Sequence, residues 1–229
     1  MTNINRSHSF STQIVNFFKL IILLIILTGI GNVIFREKKA EIKTAGQHLI
    51  SSIYGSPPLV MEGGDPYIRA LMRTISFSES NYLNPYYVIY SGEYVDDLSE
   101  HPNICMTIIN GPNKGKCSTA SGRYQFLNTT WAEKAAKYHP HPSKFLVWED
   151  YSFEPEYQDK VLYNWLKDTT AWEKDIAELL REEKIDDVLR MLSPTWTSLG
   201  YGIEDNNMTK FLPKVYKKLL QEELTLSRK

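Results

Sequence analysis

The chain has 229 residues, a formal net charge of −1, and 42% hydrophobic and 12% aromatic residues. That length suits one mid-sized domain plus a tail, and the apolar fraction is enough to close a core. The balanced charge lacks the basic excess that grips a phosphate backbone, so no nucleic-acid partner is expected.

The N-terminus carries a segment of its own. Residues 1–13 are a polar leader, and residues 14–35 are almost uninterruptedly apolar, with LIILLIILTGIGNVIF at 20–35 following Lys19. This is close to the ~20 residues that cross a bilayer. It reads as a single-pass signal anchor, or as a long signal peptide cut near the poor small-x-small site Gly29-Ile30-Gly31. Arg6 and Lys19 precede the run 20–35, whereas Arg36, Lys38, Lys39 and Lys43 follow it. The positive-inside tendency alone would leave the rest of the chain in the cytoplasm, a conflict that signal cleavage removes. Residues 36–64 read as a linker, charged at first and then rich in turn formers (Gly55, Pro57, Pro58, Gly63, Gly64). The folded domain is expected over 65–223, with 224–229 as a tail.

Asp65-Pro66 is a helix-start signal, an N-cap acceptor followed by a proline suited to the first helical position. Ile68, Leu71, Met72 and Ile75 then form a core-facing stripe, and the next position on that face is Glu79. Partial desolvation and a helix C-terminus both disfavour a charged carboxylate, which is what a general acid at neutral pH needs. The plain alternative is a glutamate turning into solvent at a helix end, and Ser78-Glu79-Ser80 is too short a motif to decide.

Residues 86–90 (YYVIY) read as a strand, turned by Ser91-Gly92, with Glu93-Tyr94-Val95 returning. Residues 105–109 (CMTII) read as another, followed by the turn dipeptide Asn110-Gly111. Cys105 and Cys117 bracket that turn and would bridge in an oxidising compartment, worth roughly 3 kcal/mol in the chain-entropy model. The alternative is two free thiols; the apolar N-terminus favours export and the bridge. SGRYQF at 121–126 leads into a helix in which Thr130 and Glu133 form a capping-box pair and which His139-Pro140 stops. His139 and His141 have no zinc spacing, and no Walker loop or GxGxxG occurs, so neither a metal nor a cofactor is expected. Further helices are expected at 155–167 (Tyr157, Val161, Leu162 and Trp165 inward), 172–181 and 185–192. A last stripe is Met208, Phe211, Leu212, Val215 and Leu219.

In this order, SFSESN, YYVIYSGEYVDDLSEHP, STASGRYQFLNTTW, FEPEYQD (153–159) and PTWTSLGYG (194–202) resemble the phage lambda lysozyme (endolysin) type of muramidase, over about residues 66–220. The resemblance implies an α+β, mostly helical lysozyme-like fold: a helical body with a small β-hairpin lobe, here preceded by the N-terminal transmembrane or signal helix. It places the family's catalytic glutamate on Glu79. It implies lytic transglycosylation, cutting the MurNAc-β-1,4-GlcNAc bond and leaving a 1,6-anhydro end. Where the family pattern has an acidic residue in the first strand, this chain has Tyr87, which disfavours a two-carboxylate hydrolase. Glu93, Asp96 and Asp97 on the hairpin keep that alternative open, although a solvated acidic face is the simpler reading.

The expected glycan-binding residues are Ser80, Tyr87, Gly122, Arg123, Tyr124 and Gln125, with Trp196, Ser198, Tyr201 and Gly202 from the second cluster. Against this, Arg123 and Tyr124 could simply brace the hairpin, and Trp196 could be plain core. The expected partners are peptidoglycan glycan strands and, through the N-terminal helix, a membrane; the chain is expected to be monomeric. The expected location is the cytoplasmic membrane, with the domain facing the periplasm or wall, or export after cleavage. A catalytically silent wall-binding module is the remaining alternative.

Overall fold

The structure is a computed structural model that describes residues 55–109, 111, 113–140, 143–145, 148–202 and 207–228. The apolar segment 14–35 lies outside the described residues. Among the described residues no helix is long and apolar enough to cross a membrane. The chain divides between Gln47 and His48 into two units, and every described residue belongs to the second.

Helix α1, Pro66–Glu79, forms where cap and stripe predict it. The Asp65 carboxylate accepts the Tyr67 N–H at 2.9 Å, satisfying one of the four orphan donors of a helix start. Ile68, Leu71, Met72 and Ile75 are completely buried. The last helix, α7 (Leu212–Leu226), packs along α1. Arg69 Nε donates to Glu223 Oε2 at 2.6 Å, and Arg73 donates to Glu223 Oε1 at 2.9 Å and Glu222 Oε2 at 2.6 Å. Glu223 is buried, so this cluster sets the register of α7 on α1 more than it adds net stability. Helix α7 also corrects the expected tail, because it runs three residues past Glu223.

Between them lie α2 (Asn128–Tyr138), α3 (Pro155–Lys167), α4 (Thr169–Trp172), α5 (Ile176–Arg181) and α6 (Ile185–Leu192). The stretch 172–181 is therefore not one helix. Glu173 turns left-handed at φ +57°, and the Asp175 side chain accepts the Glu178 N–H at 3.0 Å to restart the helix. The capping box at Thr130 and Glu133 is also absent, because α2 starts two residues earlier. Its first residue, Asn128, is held by the Thr119 hydroxyl, which accepts the Asn128 N–H at 3.1 Å and donates to Asn128 Oδ1 at 3.0 Å. In the C-terminal stripe Leu212 and Leu219 are buried, but Met208 and Phe211 are exposed. Residues Thr209–Phe211 form a 3-10 turn, whose tighter period breaks the stripe.

The β structure is smaller than the sequence suggests. Strands β1 (Met106–Thr107) and β2 (Cys117–Ser118) pair antiparallel, and Cys105 and Cys117 are disulfide-bonded beside them, Cα atoms 5.3 Å apart. A second pair, β3 (Ser143–Phe145) with β4 (Trp148–Asp150), has no counterpart in the sequence reading. The strand expected at 86–90 is a 3-10 turn at Pro85–Tyr87 followed by isolated bridges, Val88 to Tyr94 and Ile89 to Ser121. Pro85 presets a helical φ and brings no N–H, so pairing begins only at Val88.

The body also starts before Asp65. Ser56, Leu59 and Met61, read as linker, are buried in it. The core continues through Phe126 and Trp131 (centroids 5.5 Å apart) and through Trp165 with Trp172 and Trp196, at 5.2 and 5.3 Å.

Candidate active site

Glu79 is the last residue of α1 and is half-buried, with the buried stripe beneath it and the chain turning away after it. Its carboxylate is oriented from the side. Ser198, on the 3-10 turn Thr197–Leu199, donates its hydroxyl to Glu79 Oε1 at 2.5 Å. The Ser78 hydroxyl in turn lies 2.9 Å from both Ser198 Oγ and the Ser198 carbonyl and has one proton to donate between them. This hydroxyl relay holds one carboxylate oxygen and fixes the rotamer. Ser198, expected to touch the sugar, is half-buried and bonds the Glu79 carboxylate. Ser78 went unnoticed in the sequence; its only signal was the doubled serine around Glu79.

Ser80, the C-cap, is also not a glycan contact. It is buried, and its hydroxyl donates to the Arg123 carbonyl at 2.5 Å. That bond ties the turn after Glu79 to the SGRYQF segment. Arg123 and Tyr124 are both 0% exposed, which rules out sugar contact and settles their role as a brace. The Arg123 guanidinium donates to Tyr86 Oη and the Pro58 carbonyl, at 2.8 and 2.9 Å, and also to the Ser56 hydroxyl and Pro57 carbonyl. Tyr124 donates to Asp159 Oδ1 at 2.5 Å, and burial, with Asp159 adding, pushes its hydroxyl well above the ordinary tyrosine range. Asp159 Oδ2 accepts from Tyr86 at 2.8 Å and from the N–H groups of Val60 and Met61 at 2.8 and 3.1 Å. Burial drives the Tyr86 hydroxyl up as well, opposed by the Arg123 charge and aided by Asp159. Both phenols therefore stay protonated donors.

Gly122 was expected to let backbone approach a sugar. It is buried, and a Cβ there would collide with Gln158 Oε1 and Phe153 while φ is +74°, so the glycine serves packing. Gln158 replaces the imagined ligand: its Oε1 accepts the Arg123 N–H at 2.9 Å, and its Nε2 donates to the Tyr86 and Phe153 carbonyls at 3.0 and 2.8 Å. Gln158 and Asp159 were missed, although they are polar residues on the face of α3 that also carries Leu162 and Trp165. Polar residues at core positions of a helix are a readable sign of a buried network.

Gln125 is half-buried at φ +48°, with its amide donating to the Val88 and Gly122 carbonyls at 3.2 and 3.0 Å. Trp196 is core, its indole N–H donating to the Tyr124 carbonyl at 3.0 Å. Tyr201 points to α6, donating to Asp186 Oδ1 at 2.9 Å, and Gly202 is exposed beyond it. Tyr87 is half-buried against the core, its carbonyl accepting the Val95 N–H at 2.9 Å. Glu93, Asp96 and Asp97 are exposed, and the Ser99 hydroxyl and N–H hold the Asp97 carboxyl below its usual value. Among the described residues no group of three or more His, Cys, Asp or Glu side chains is placed to hold a metal ion.

A helical body with a small β lobe, with the braced Glu79 carboxylate at the end of a buried helix, makes a lysozyme-like fold. The chain matches the family described as Endolysin over residues 69–221 and belongs to that family. It is thus a peptidoglycan-cleaving enzyme. Among solved structures it is similar to a bacteriophage lambda lysozyme complexed with a chitohexasaccharide. That likeness has 24% identity and a TM-score of 0.50, and covers 69% of this chain and 97% of that one. A lysozyme from bacteriophage lambda is similar at 22% identity and a TM-score of 0.48, covering 71% of this chain and 97% of that one. No curated protein matches the chain.

Proposed function

We propose that the chain is a peptidoglycan lytic transglycosylase with Glu79 as its single general acid and base. The observation that carries this reading is the braced, half-buried Glu79 carboxylate with Ser198 on one oxygen; the resemblance, which puts Tyr87 where the family pattern has an acid, supports it. The protonated carboxyl gives its proton to the glycosidic oxygen as the C1–O bond breaks, and the GlcNAc hydroxyl leaves. The resulting carboxylate takes the proton of the muramoyl 6-hydroxyl, whose oxygen bonds to C1 and closes the 1,6-anhydro ring. The substrate's own acetamido group stabilises the oxocarbenium-like centre, so neither water nor a protein nucleophile is consumed.

The substrate is a β-1,4-linked, N-acetylated glycan, in keeping with the chitohexasaccharide held by the lambda lysozyme. The domain works outside the cytoplasmic membrane, tethered by residues 14–35 or released from them. Purified peptidoglycan digested with the full chain in detergent should release muropeptides lighter by one water than reducing-end products, as read by mass spectrometry. Reducing MurNAc ends would replace transglycosylation with hydrolysis on the same fold. Glu79→Gln should abolish cleavage under both; activity retained in that variant removes Glu79 from the mechanism.

A further inference from the structure

The solvent face of α7 carries only positive formal charge. Leu212, Tyr216, Leu219 and Glu223 form the buried face. At about 100° per residue, the opposite face presents Lys214, Lys217, Lys218, Gln221 and Thr225, and all of these are exposed. Lys210, on the 3-10 turn that leads into the helix, and Arg228, just past its end, are exposed as well. The acids of α7 are held on its inner side: Glu223 is buried on Arg69 and Arg73, and Glu222 pairs with Arg73. Asp186 shares a cleft with Lys210 at one end of the row, where it accepts the Tyr201 hydroxyl. A basic helix face of this kind stands out in a chain whose net charge is −1.

Apolar side chains flank the lysines. Phe211 is 46% exposed, with the Lys210 ammonium over its ring, 5.1 Å from the centroid. Leu226 is 49% exposed and lines a shallow groove with Lys218, Gln221, Glu222 and Thr225. The connection to the N-terminal segment also arrives here. A Cβ on Gly55, where the described chain begins, would lie 3.5 Å from Leu219 Cδ2 and 3.9 Å from Lys218 Nζ. Residues 36–54 therefore join the apolar run 14–35 to the domain beside this face. None of these side chains belongs to the hydroxyl relay at Glu79 or to the buried brace.

A bilayer surface matches both properties of the face. Its headgroup phosphates attract lysines, and its interfacial zone takes up exposed phenyl and leucyl groups that a hydrated polyanion would leave in water. We propose that α7 docks on an anionic phospholipid surface, with Lys210, Lys214, Lys217 and Lys218 on the headgroups and Phe211 and Leu226 in the interfacial zone. The apolar run brings the membrane to the edge of the domain where α7 lies, and α7 fixes which side of the domain rests on it. The docking is independent of the reaction at Glu79.

Lysine acetylation of the full chain, read residue by residue by mass spectrometry, tests the docking. The chain is reconstituted in vesicles of phosphatidylcholine alone and in vesicles with a one-third share of phosphatidylglycerol. Lys214 and Lys217 should react about fivefold more slowly on the anionic vesicles, the effect of roughly one basic residue at such a surface. Salt at about 1 M, where the Debye length is about 3 Å, should restore their reactivity. Lys114 and Lys116, exposed on the β1–β2 lobe, should react equally on both vesicles. Lys214→Gln combined with Lys217→Gln should return Lys210 to its reactivity on phosphatidylcholine, and Phe211→Ala should weaken the protection of Lys214. Both variants should release muropeptides in detergent as the parent chain does. Equal reactivity of Lys214 and Lys217 on the two vesicles overturns the docking. Slowing of Lys114 and Lys116 to the same degree also overturns it, because the vesicle charge alone would then explain the effect. Protection by peptidoglycan sacculi in place of the anionic lipid assigns the face to the wall and overturns it too. Protection that persists in a chain releasing no muropeptides keeps the docking and overturns the reaction.

Discussion

Two serines decide how Glu79 is presented. The Ser198 hydroxyl bonds the carboxylate at 2.5 Å and is itself held by Ser78 at 2.9 Å. A hydrogen bond to a charged group is worth about 1.5–3 kcal/mol. Ser198→Ala should therefore lower kcat about tenfold, and thermal melting should move little because the position is half-buried; an unchanged kcat would show that the rotamer is fixed without it. Asp159 presents the opposite case, a residue remote from the reaction that the fold cannot lose. Its carboxylate accepts from two phenols and two backbone N–H groups. Asp159→Asn turns an amide NH2 toward one of those donors and leaves the buried Arg123 charge without its counter-ion. Denaturant unfolding should register a loss of about 3–5 kcal/mol. Glu79 was legible in the sequence as a candidate because a helical stripe ended on it. Its surroundings were legible only as a set of polar and aromatic residues. Ser80, Gly122, Arg123, Tyr124 and Trp196 all belong to the region but face inward. Sequence patterning gives no way to separate a polar residue that bonds a sugar from one that bonds a buried carbonyl.

At the scale of elements, the segment 56–61 is a strap rather than a linker. Its carbonyls and Ser56 hydroxyl occupy the Arg123 guanidinium, and its N–H groups occupy Asp159. A chain beginning at residue 62 loses both sets of bonds and should melt well below one beginning at residue 55, as followed by circular dichroism; equal melting would make the strap dispensable. Pro57 and Pro58 disguised it, since turn formers read as spacer, and no periodicity marks an irregular buried segment. Helix α1, helix α3 and helix α6 were legible because an amphipathic period marks each, and at α1 the Asp65 cap agrees with it. Short pairings such as β3 with β4 have two or three residues per strand and carry no period to read. A second element-level device is His101, which joins the hairpin region to the start of α2. Its Nε2 donates to the Phe126 carbonyl at 2.8 Å and its Nδ1 accepts the Asn103 N–H at 3.0 Å, which defines the neutral ring. Burial lowers its pKa from the usual 6.5. The unfolded chain therefore takes up the proton first, so the stability this site contributes is complete above that value and is lost as pH falls from it toward the lower folded value. Urea unfolding between about pH 8 and about pH 5 should show stability declining on the acid side, with a flatter profile in His101→Gln; parallel profiles would clear His101 of the effect.

The whole molecule joins an apolar N-terminal segment to a domain closed by a disulfide, and the two features constrain each other. The bridge between Cys105 and Cys117 forms in an oxidising compartment, whereas cytosolic reductants keep such thiols free. If residues 20–35 span a membrane, the four basic residues after them, against Arg6 and Lys19 before, favour the reverse orientation by the positive-inside tendency. The proposed peptidoglycan reaction favours the outside, because its substrate lies beyond the membrane. The domain is therefore expected outside, with the bridge closed. Membrane protein alkylated before reduction should gain no label on either cysteine, and alkylation after reduction should label both. Protease added to intact spheroplasts should remove the domain. The loop between the cysteines is short, with a sequence separation of 12. In the chain-entropy model its closure contributes about 3 kcal/mol, so reduction should lower the unfolding free energy by up to that amount and loosen the β1–β2 lobe first. Free thiols and a protease-protected domain would place the enzyme inside and make release across the membrane the step that controls its action.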